Sequence, residues 1–238
     1  NTTMYRVIIL DDVAQEGLDL LEAAEGIEYE IRTGLKGEEL RAALADADGA
    51  VCRSGVKITA DVLKGNTRLR AIARAGVGID NIDVEAATQR GIVVVNAPTG
   101  NTMAAAEHSV ALMLALSRNI PQAHESLKGG AWKRQNFVGV EVRNKTLGIV
   151  GLGNVGSEVA RRVQGFHMRV LGYDPYVSPE YARNLRVELV PLEQIIREAD
   201  FITLHLPLTP QSRNMIGPKE LAMMKPNVRI VNCARGGL

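Results

Sequence analysis

The sequence predicts an α/β fold built from two doubly wound parallel-sheet domains. Short apolar runs rich in Val, Ile and Leu alternate with helical patterns along all 238 residues. A Pro-Thr-Gly-Asn-Thr stretch at 98–102 interrupts this alternation near the middle of the chain. Alternation of this kind is typical of parallel strands joined by helices. We therefore expect one domain over residues 1–98 and a second over residues 99–238.

The first half of the chain carries an alternating series of strands and helices. Strands are predicted at 5–10, 27–32, 50–52, 69–74 and 92–96, and helices at 16–24, 37–44, 60–65 and 84–90. Ligands of parallel sheets collect at the carboxyl ends of the strands. The polar loop at 53–55 and the glycine-rich loop at 75–78 are therefore candidate ligand sites.

The second half opens with a long apolar helix predicted at 103–117, which we interpret as the connection between the domains and for which Thr102 is a suitable cap. Four strands are predicted beyond it, at 146–150, 168–173, 201–206 and 228–232. Helices are predicted at 157–164, 192–198 and 219–224. No internal repeat of fixed short period is present.

A glycine motif, Gly-Leu-Gly-Asn-Val-Gly at 151–156, separates the strand predicted at 146–150 from the helix that follows. Gly151 permits a tight turn, Gly153 lets a pyrophosphate approach the backbone, and Gly156 lets the helix pack closely on the strand. The amides and dipole of the helix N-terminus then face the phosphates. The motif predicts a dinucleotide-binding Rossmann domain, and the alternative is a glycine-rich turn in an ordinary βαβ unit.

An acidic residue, Asp174, ends the next predicted strand. Its carboxylate can accept hydrogen bonds from ribose hydroxyls, and its charge repels a 2′-phosphate. The next residues are Pro175 and Tyr176, so no basic residue follows at once. NAD is therefore favoured over NADP. Because a complete dinucleotide domain typically has six strands, the four predicted here suggest a domain that is incomplete at its C-terminal end.

Composition excludes several classes of function. The formal net charge of +1 indicates no general attraction to nucleic acid or membrane. The two cysteines, Cys52 and Cys233, show no metal-ligand spacing and fit a reducing cytoplasm. No signal-peptide pattern is present at 1–6, and the longest apolar stretch, 110–116, is too short to span a bilayer.

Several motifs together make the chain resemble the D-isomer-specific 2-hydroxyacid dehydrogenases over essentially its whole length. They are Arg-Ser at 53–54 with Lys-Ile-Thr at 57–59, Ala-Arg-Ala-Gly-Val-Gly-Ile-Asp-Asn-Ile-Asp at 73–83, Asn-Ala-Pro-Thr-Gly-Asn-Thr at 96–102, Gly-Ala-Trp-Lys-Arg at 130–134, the glycine motif with Tyr-Asp-Pro at 173–175, His-Leu-Pro-Leu-Thr at 205–209 and Val-Asn-Cys-Ala-Arg-Gly-Gly at 231–237. The resemblance implies a flavodoxin-like substrate domain followed by a Rossmann nucleotide domain. It also implies NAD-dependent oxidation of a 2-hydroxy acid.

The resemblance assigns one catalytic residue, Arg235, which is expected to hold the substrate carboxylate and the C2 oxygen with its planar, permanently charged guanidinium. The family's catalytic histidine and glutamate lie downstream of the motif at 231–237. We therefore expect this 238-residue chain to have little or no dehydrogenase activity by itself. Its own histidines, His108, His124, His167 and His205, are not assigned the missing role.

Two further sets of contacts are implied by the resemblance. Substrate contacts are expected at Arg53, Ser54, Lys57, Arg74, Ala75, Gly76 and Arg134. Cofactor contacts are expected at Val77, Gly151, Gly153, Asn154, Val155, Gly156, Asp174, His205, Leu206, Pro207, Cys233, Ala234 and Arg235. The paired cations favour a substrate with both a carboxylate and a phosphate, such as D-3-phosphoglycerate, although each cation could instead be a solvated surface charge.

Alternatives remain within and beyond this activity. The substrate could be another 2-hydroxy acid or its keto form, such as glyoxylate, hydroxypyruvate or lactate. Co-repressors that resemble the family sense NAD without turnover, and a non-catalytic nucleotide-binding fragment is a third interpretation. The apolar helix and the segment around Trp132 suggest a homodimer or tetramer formed through the nucleotide domain, with Arg134 reaching into the partner subunit's cleft.

Overall fold

The computed structural model describes residues 4–238 and divides into two compact units, the first ending at Asn101 and the second running from Thr102 to Leu238. The first three residues of the predicted domain 1–98 lie outside the described part. The observed division falls after Asn101, three residues later than predicted, and the Gly100 N–H still bonds to the Ala97 carbonyl oxygen of the first unit at 3.1 Å. No helix in the described residues is long and apolar enough to cross a membrane.

Five parallel strands form the sheet of the first unit within residues 4–101. In chain order the elements are β1 (Tyr5–Ile9), α1 (Gln15–Glu22), β2 (Ile27–Ile31), α2 (Gly37–Ala45), β3 (Gly49–Cys52), α3 (Ala60–Leu63), β4 (Ala71–Arg74), α4 (Val84–Gln89) and β5 (Val93–Asn96). The strand order is β2-β1-β3-β4-β5. This is the flavodoxin-like doubly wound order, so the expected fold of this unit is confirmed.

The core of the first unit lies between its sheet and α2, α3 and α4. Side chains at alternate strand positions share a face, and Ile8, Cys52 and Ile72 point to the same side. They pack against Leu44 of α2 and Leu63 of α3, and all five residues are buried. This packing fixes the strands, and the loops that follow β3 and β4 therefore lie together at one edge of the sheet.

The second unit also contains five parallel strands within residues 102–238. In chain order the elements are α5 (Thr102–Arg118), α6 (Ile120–Lys128), β6 (Thr146–Val150), α7 (Asn154–Val163), β7 (Arg169–Tyr173), α8 (Pro179–Asn184), β8 (Glu188–Leu189), α9 (Leu192–Glu198), β9 (Phe201–Leu204), α10 (Pro218–Met223) and β10 (Arg229–Asn232). The strand order is β10-β9-β6-β7-β8. This matches the Rossmann order 3-2-1-4-5 when β6 is counted as the first strand, so the expected fold class is confirmed here as well.

Helices cover both faces of the second sheet. Leu147 and Ile149 of β6 belong to a buried cluster that includes residues of α5 and α7. The next residue in β6, Val150, belongs to the cluster on the other face, with Ile195 of α9. Gly148 allows this close packing, because a Cβ added there would overlap the Ile195 side chain.

The structure corrects several predicted elements of the second unit. The count of four strands is wrong for the described residues, because β8 adds a fifth. It has only two residues at the sheet edge, too few to leave a period-two pattern. Helices α6 and α8 were not predicted. Helix α6 has no buried residue and α8 has only Ala182, so neither carries the apolar stripe of a packed helix. Helix α7 begins at Asn154, three residues before the predicted start at 157, so the end of the glycine motif is already helical.

Candidate functional site

The glycine motif forms the turn between β6 and α7, and two of its glycines are required by close contacts. Gly151 has a φ of 96°, and a Cβ built there would lie 2.6 Å from the His205 carbonyl oxygen. A Cβ at Gly156 would overlap the Gly151 carbonyl oxygen. Gly153 differs, because a Cβ there would meet no atom within 4 Å. The backbone at Gly153 therefore faces open space, as the predicted approach of a pyrophosphate requires.

Several backbone amides at this turn have no hydrogen-bond acceptor. Gly153 is the N-cap of the ten-residue helix α7, and the first helical bond runs from the Ser157 N–H to the Gly153 carbonyl oxygen at 3.0 Å. Within residues 4–238, the N–H groups of Gly153, Asn154, Val155 and Gly156 have no protein acceptor. Unpaired amides at a helix N-terminus favour a bound anion, so this donor set fits a diphosphate.

Asp174 follows β7, and its carboxylate is hydrogen-bonded to the glycine motif. Its Oδ2 accepts a hydrogen bond from the Leu152 N–H at 2.8 Å, and its Oδ1 accepts one from the Tyr176 N–H at 2.9 Å. A carboxylate offers about four acceptor positions, so capacity for ribose hydroxyls remains. Asp174 therefore also braces the backbone of the loop, in addition to any contact with a nucleotide. Its position at a strand end did not indicate this bracing role.

The segment after β9 lines the same edge of the sheet. The strand predicted at 201–206 ends at Leu204, so His205, Leu206 and Pro207 lie in the loop. The His205 N–H bonds to the Val150 carbonyl oxygen at 2.8 Å, and its Nε2 lies 2.8 Å from the Thr203 hydroxyl. Burial lowers the pKa of the His205 imidazole to about 4. The ring is thus neutral at pH 7, so we expect it to pack near a cofactor and not to supply a positive charge.

The loop after β10 carries Cys233, Ala234 and Arg235. The Asn232 side chain shapes it, donating from Nδ2 to the Arg235 carbonyl oxygen at 2.8 Å and accepting from the Ala234 N–H at 3.0 Å. The Arg235 guanidinium donates to the Ala234 carbonyl oxygen at 2.9 Å and is partly buried. The sequence identified Asn232 only as a member of the motif at 231–237. The structure shows that its side chain holds the Arg235 backbone.

These segments converge because of the strand order. The chain leaves β6 towards β7 on one side, whereas β9 pairs with β6 on the other side, so the two loops diverge at a topological switch point. Ligands of open α/β sheets bind at such a point. The glycine motif and His205 meet there, as the short approach between Gly151 and the His205 carbonyl shows.

The loop after β3 holds the predicted substrate residues Arg53, Ser54 and Lys57, all of which are exposed. Two residues that were not assigned a role brace this loop. The Asp11 Oδ2 accepts from the Arg53 N–H at 2.6 Å. The Asn81 Nδ2 donates to the carbonyl oxygens of Arg53 at 2.8 Å and Val56 at 2.9 Å. Asn81 lies within the motif at 73–83, whereas Asp11 lies in none of the motifs and its contact with Arg53 left no signal in the sequence.

The loop after β4 contains Arg74, Ala75, Gly76 and Val77. The Ala75 N–H bonds to the Cys52 carbonyl oxygen at 2.8 Å, and the Gly76 N–H bonds to the Arg74 carbonyl oxygen at 2.8 Å. The amides of these two predicted substrate contacts are thus engaged within the protein. In the described part of the chain the N–H groups of Val77 and of the next residue, 78, have no protein acceptor. The Arg74 Nε is buried without a partner, which suits a neighbouring anion.

The remaining candidates belong to other segments of the second unit. Arg134 is exposed at the start of a 3-10 helix, Arg134–Phe137, and Trp132 close by is 77% exposed. His108, His124 and His167 are exposed as well. Among the described residues no group of three or more His, Cys, Asp or Glu side chains is arranged to hold a metal ion.

Comparison with known proteins agrees with this arrangement. Residues 110–238 match the family model described as "D-isomer specific 2-hydroxyacid dehydrogenase, NAD binding domain". The D-3-phosphoglycerate dehydrogenase of Methanocaldococcus jannaschii is 50% identical over 99% of this chain and 45% of that protein. The enzyme of the same name from Synechocystis sp. is 47% identical over 99% of this chain and 42% of that protein. The chain therefore spans less than half the length of these curated relatives.

A solved structure supports the same assignment. D-lactate dehydrogenase from Aquifex aeolicus, complexed with NAD and lactic acid, superposes with a TM-score of 0.86 at 28% identity. The match covers 98% of this chain and 69% of that one. The family model covers more than half of the chain and names an NAD-binding domain, in agreement with the amides and the acid at the switch point. The chain belongs to the D-isomer specific 2-hydroxyacid dehydrogenase family and carries its NAD-binding domain.

Proposed function

We propose that this chain forms the substrate-binding and NAD-binding parts of a D-3-phosphoglycerate dehydrogenase. The reaction is the NAD-dependent oxidation of D-3-phosphoglycerate to 3-phosphohydroxypyruvate, the first step of serine biosynthesis. The observation that carries this proposal is the 47–50% identity to two enzymes of that name over 99% of the chain. The D-lactate dehydrogenase, by comparison, is 28% identical.

The cofactor contacts follow from the second unit. The amides of Gly153, Asn154 and Val155 would hold the diphosphate, since they have no other acceptor among the described residues. Asp174 would accept from the adenosine ribose hydroxyls, and its charge would disfavour a 2′-phosphate. NAD supplies the hydride acceptor when bound. His205, Leu206 and Pro207 would line its pocket after β9, and Cys233 and Ala234 after β10.

The substrate contacts follow from charge. A carboxylate and a phosphate need separate cationic partners, and an arginine can hold a carboxylate through two parallel hydrogen bonds. Arg235 would hold the carboxylate and the C2 oxygen. Arg74, with its unpaired buried Nε, would contact an anionic group with help from the loop that contains Gly76. Arg53, Ser54 and Lys57 would serve the other anionic group, and Arg134 would act in a partner subunit's cleft.

Binding and turnover test this proposal separately. The 238-residue chain is titrated with NAD and NADP, and we expect NAD to bind at least tenfold more tightly. The gene product at its full coding length is then assayed for NAD reduction with D-3-phosphoglycerate, D-glycerate and D-lactate, and in reverse with glyoxylate and hydroxypyruvate. The highest kcat/KM is expected for D-3-phosphoglycerate. A preference for an unphosphorylated acid would overturn the substrate assignment, and failure to bind NAD would overturn the cofactor assignment.

A matched pair of arginine variants tests the substrate contacts. Arg74→Ala is expected to raise the KM for D-3-phosphoglycerate at least tenfold and to leave NAD affinity unchanged, because loss of a hydrogen bond to a charged group costs about 1.5–3 kcal/mol. Arg41→Ala is the control, since Arg41 of α2 forms an exposed ion pair with Glu38. An unchanged KM in Arg74→Ala would refute the assignment.

We also propose that the protein forms a homodimer through the second unit. Leu112 and Leu116 of α5 are 37% and 43% exposed, and Trp132 and Val138 are 77% and 80% exposed. Large exposed apolar side chains on one unit favour burial by a second copy. Light scattering is expected to give a dimer or tetramer for the wild type and a smaller species for Leu116→Glu. A monomeric wild type at micromolar concentration would count against the proposal.

Both cysteines are free thiols, which is consistent with the proposed location in a reducing cytoplasm. Cys52 is fully buried in the core of the first unit, and burial raises the pKa of its thiol to about 11. Cys233 is partly buried in the loop after β10. The protonated Cys52 thiol is therefore a packing group and not a nucleophile.

A further inference from the structure

The peptide that joins Leu152 to Gly153 is the centre of the glycine motif, and hydrogen bonds hold Leu152 on two sides. The Leu152 N–H donates to the Asp174 Oδ2 at 2.8 Å. The Leu152 carbonyl oxygen accepts from the Ser157 Oγ at 2.8 Å. Leu152 and Ser157 are both almost completely buried, at 1% and 2% exposure. The orientation of this backbone is therefore set by side chains and not by solvent.

A second hydroxyl stands behind Ser157. The Tyr181 hydroxyl of α8 lies 2.8 Å from the Ser157 Oγ. Ser157 has a single hydroxyl proton, and the Leu152 carbonyl oxygen can only accept it. The Tyr181 hydroxyl is therefore the donor to Ser157. The direction of the chain is from Tyr181 to Ser157 to the Leu152 carbonyl, and hydrogen bonds in such a chain strengthen one another.

This chain determines where the next amide points. In a trans peptide the carbonyl oxygen and the following N–H lie on opposite sides of the bond, and no cis peptide is present in the described residues. Because Ser157 fixes the Leu152 carbonyl oxygen, it also fixes the Gly153 N–H on the other side. No described residue accepts a hydrogen bond from that N–H, so it is available to a ligand.

We propose that Ser157 and Tyr181 are positioning residues that orient the Gly153 amide towards the cofactor diphosphate. This inference rests on the proposed NAD binding and adds a device that the glycine motif alone does not contain. Ser157 is the residue after the last glycine of the motif, and Tyr181 lies seven residues after Asp174. The segment from Asp174 to Tyr181 would thus supply the acid for the ribose and also orient the Gly153 amide for the diphosphate. The two contacts would therefore keep a fixed position relative to each other.

Ligands with and without the diphosphate test the proposal. Affinities of ADP-ribose and adenosine are measured by displacement of NADH fluorescence from the 238-residue chain. Tyr181→Phe is expected to weaken ADP-ribose binding about threefold to fivefold and Ser157→Ala about tenfold, because each variant loses at least one neutral hydrogen bond of the chain that holds the Leu152 carbonyl oxygen. Adenosine affinity should stay within about twofold in both variants. Tyr29→Phe, in β2 of the first unit, is the control.

The double variant tests whether Tyr181 acts through Ser157. If it does, Ser157→Ala with Tyr181→Phe binds ADP-ribose no more weakly than Ser157→Ala alone. Equal losses for ADP-ribose and adenosine would indicate a merely structural role and overturn the inference, as would unchanged ADP-ribose affinity in Tyr181→Phe. Tyr181→Phe keeps the ring, so it remains informative if Ser157→Ala folds poorly. A wild-type chain that binds neither NAD nor ADP-ribose would instead overturn the proposed function from which the inference starts.

Discussion

Two alanine substitutions in the glycine motif should have opposite consequences, although the two glycines are only three residues apart. At Gly153 an added Cβ meets no protein atom within 4 Å, and the backbone has a φ of −71° that any residue adopts. At Gly156 an added Cβ overlaps the Gly151 carbonyl oxygen. Gly153→Ala should therefore damage cofactor binding without harming the fold, whereas Gly156→Ala should destabilise the fold itself.

The magnitudes follow from these contacts. Replacing glycine by alanine at an N-cap costs no more than about 1 kcal/mol, so the unfolding midpoint of Gly153→Ala should move little. Its methyl group would occupy the space where a diphosphate approaches, and the loss of one hydrogen bond to a charged group costs about 1.5–3 kcal/mol. NAD affinity should fall about 10- to 100-fold. Overpacking at Gly156 should lower stability by about 1–3 kcal/mol.

Urea unfolding followed by circular dichroism and calorimetric titration with NAD separate the two effects. Both measurements are made on wild type, Gly153→Ala and Gly156→Ala, with Gly165→Ala as a control because an added Cβ there also meets no atom within 4 Å. The control should match wild type in NAD affinity. Undiminished NAD binding by Gly153→Ala would refute the placement of the diphosphate over this backbone.

The remaining predictions concern His205, Asp174 and Asn81. Burial lowers the pKa of folded His205 to about 4, below the usual ~6.5, so the unfolded chain binds more protons between these values and stability falls as the pH drops through that window. His205→Gln should reduce the change in unfolding free energy across this pH window by up to about 3 kcal/mol, measured by urea unfolding at each pH. His124→Gln, which changes an exposed side chain, should leave the pH dependence of stability unchanged. Asp174→Asn should weaken NAD binding about tenfold and reduce the preference for NAD over NADP. The amide oxygen still accepts from the Leu152 N–H, but the charge and the acceptor for the Tyr176 N–H are lost. Calorimetric titrations that show no change in either affinity would mean that Asp174 only braces the loop. Asn81→Ala should lower the stability of the first unit by about 1–3 kcal/mol, since two backbone carbonyls lose their donor, while NAD affinity stays constant; an unchanged urea midpoint would contradict this.

Much of the cofactor site was predictable because its signals are local. Gly151, Gly153 and Gly156 occur at fixed spacing between an apolar run and a helical pattern, and each spacing has a direct stereochemical cause. Asp174 could be placed at the end of the next strand by the same reasoning. The strands of both sheets in the described residues, except β8, were found for a similar reason, because buried strands leave apolar runs.

The supporting contacts were not predictable from one sequence. Asp11 reaches Arg53 across 42 residues, and Tyr181 reaches Ser157 across 24 residues. Nothing near Asp11 or Tyr181 in sequence indicates its partner, since the pairing depends on which strands become neighbours. Strand β8 was missed for a related reason, because two residues become a strand only by pairing with Leu171 and Gly172 of β7.

The sequence by itself determined the fold class, and it predicted the candidate dinucleotide site and the acid expected to favour NAD, because these depend on residue types at short, fixed spacing. Only the tertiary structure decided which amides remain available to a ligand. Those of Ala75 and Gly76 are engaged within the protein, whereas those of Gly153 and Asn154 have no protein acceptor within residues 4–238. The physical reason is that a backbone amide is free or engaged according to the carbonyls that folding brings near it, and strand order, not local sequence, selects those carbonyls.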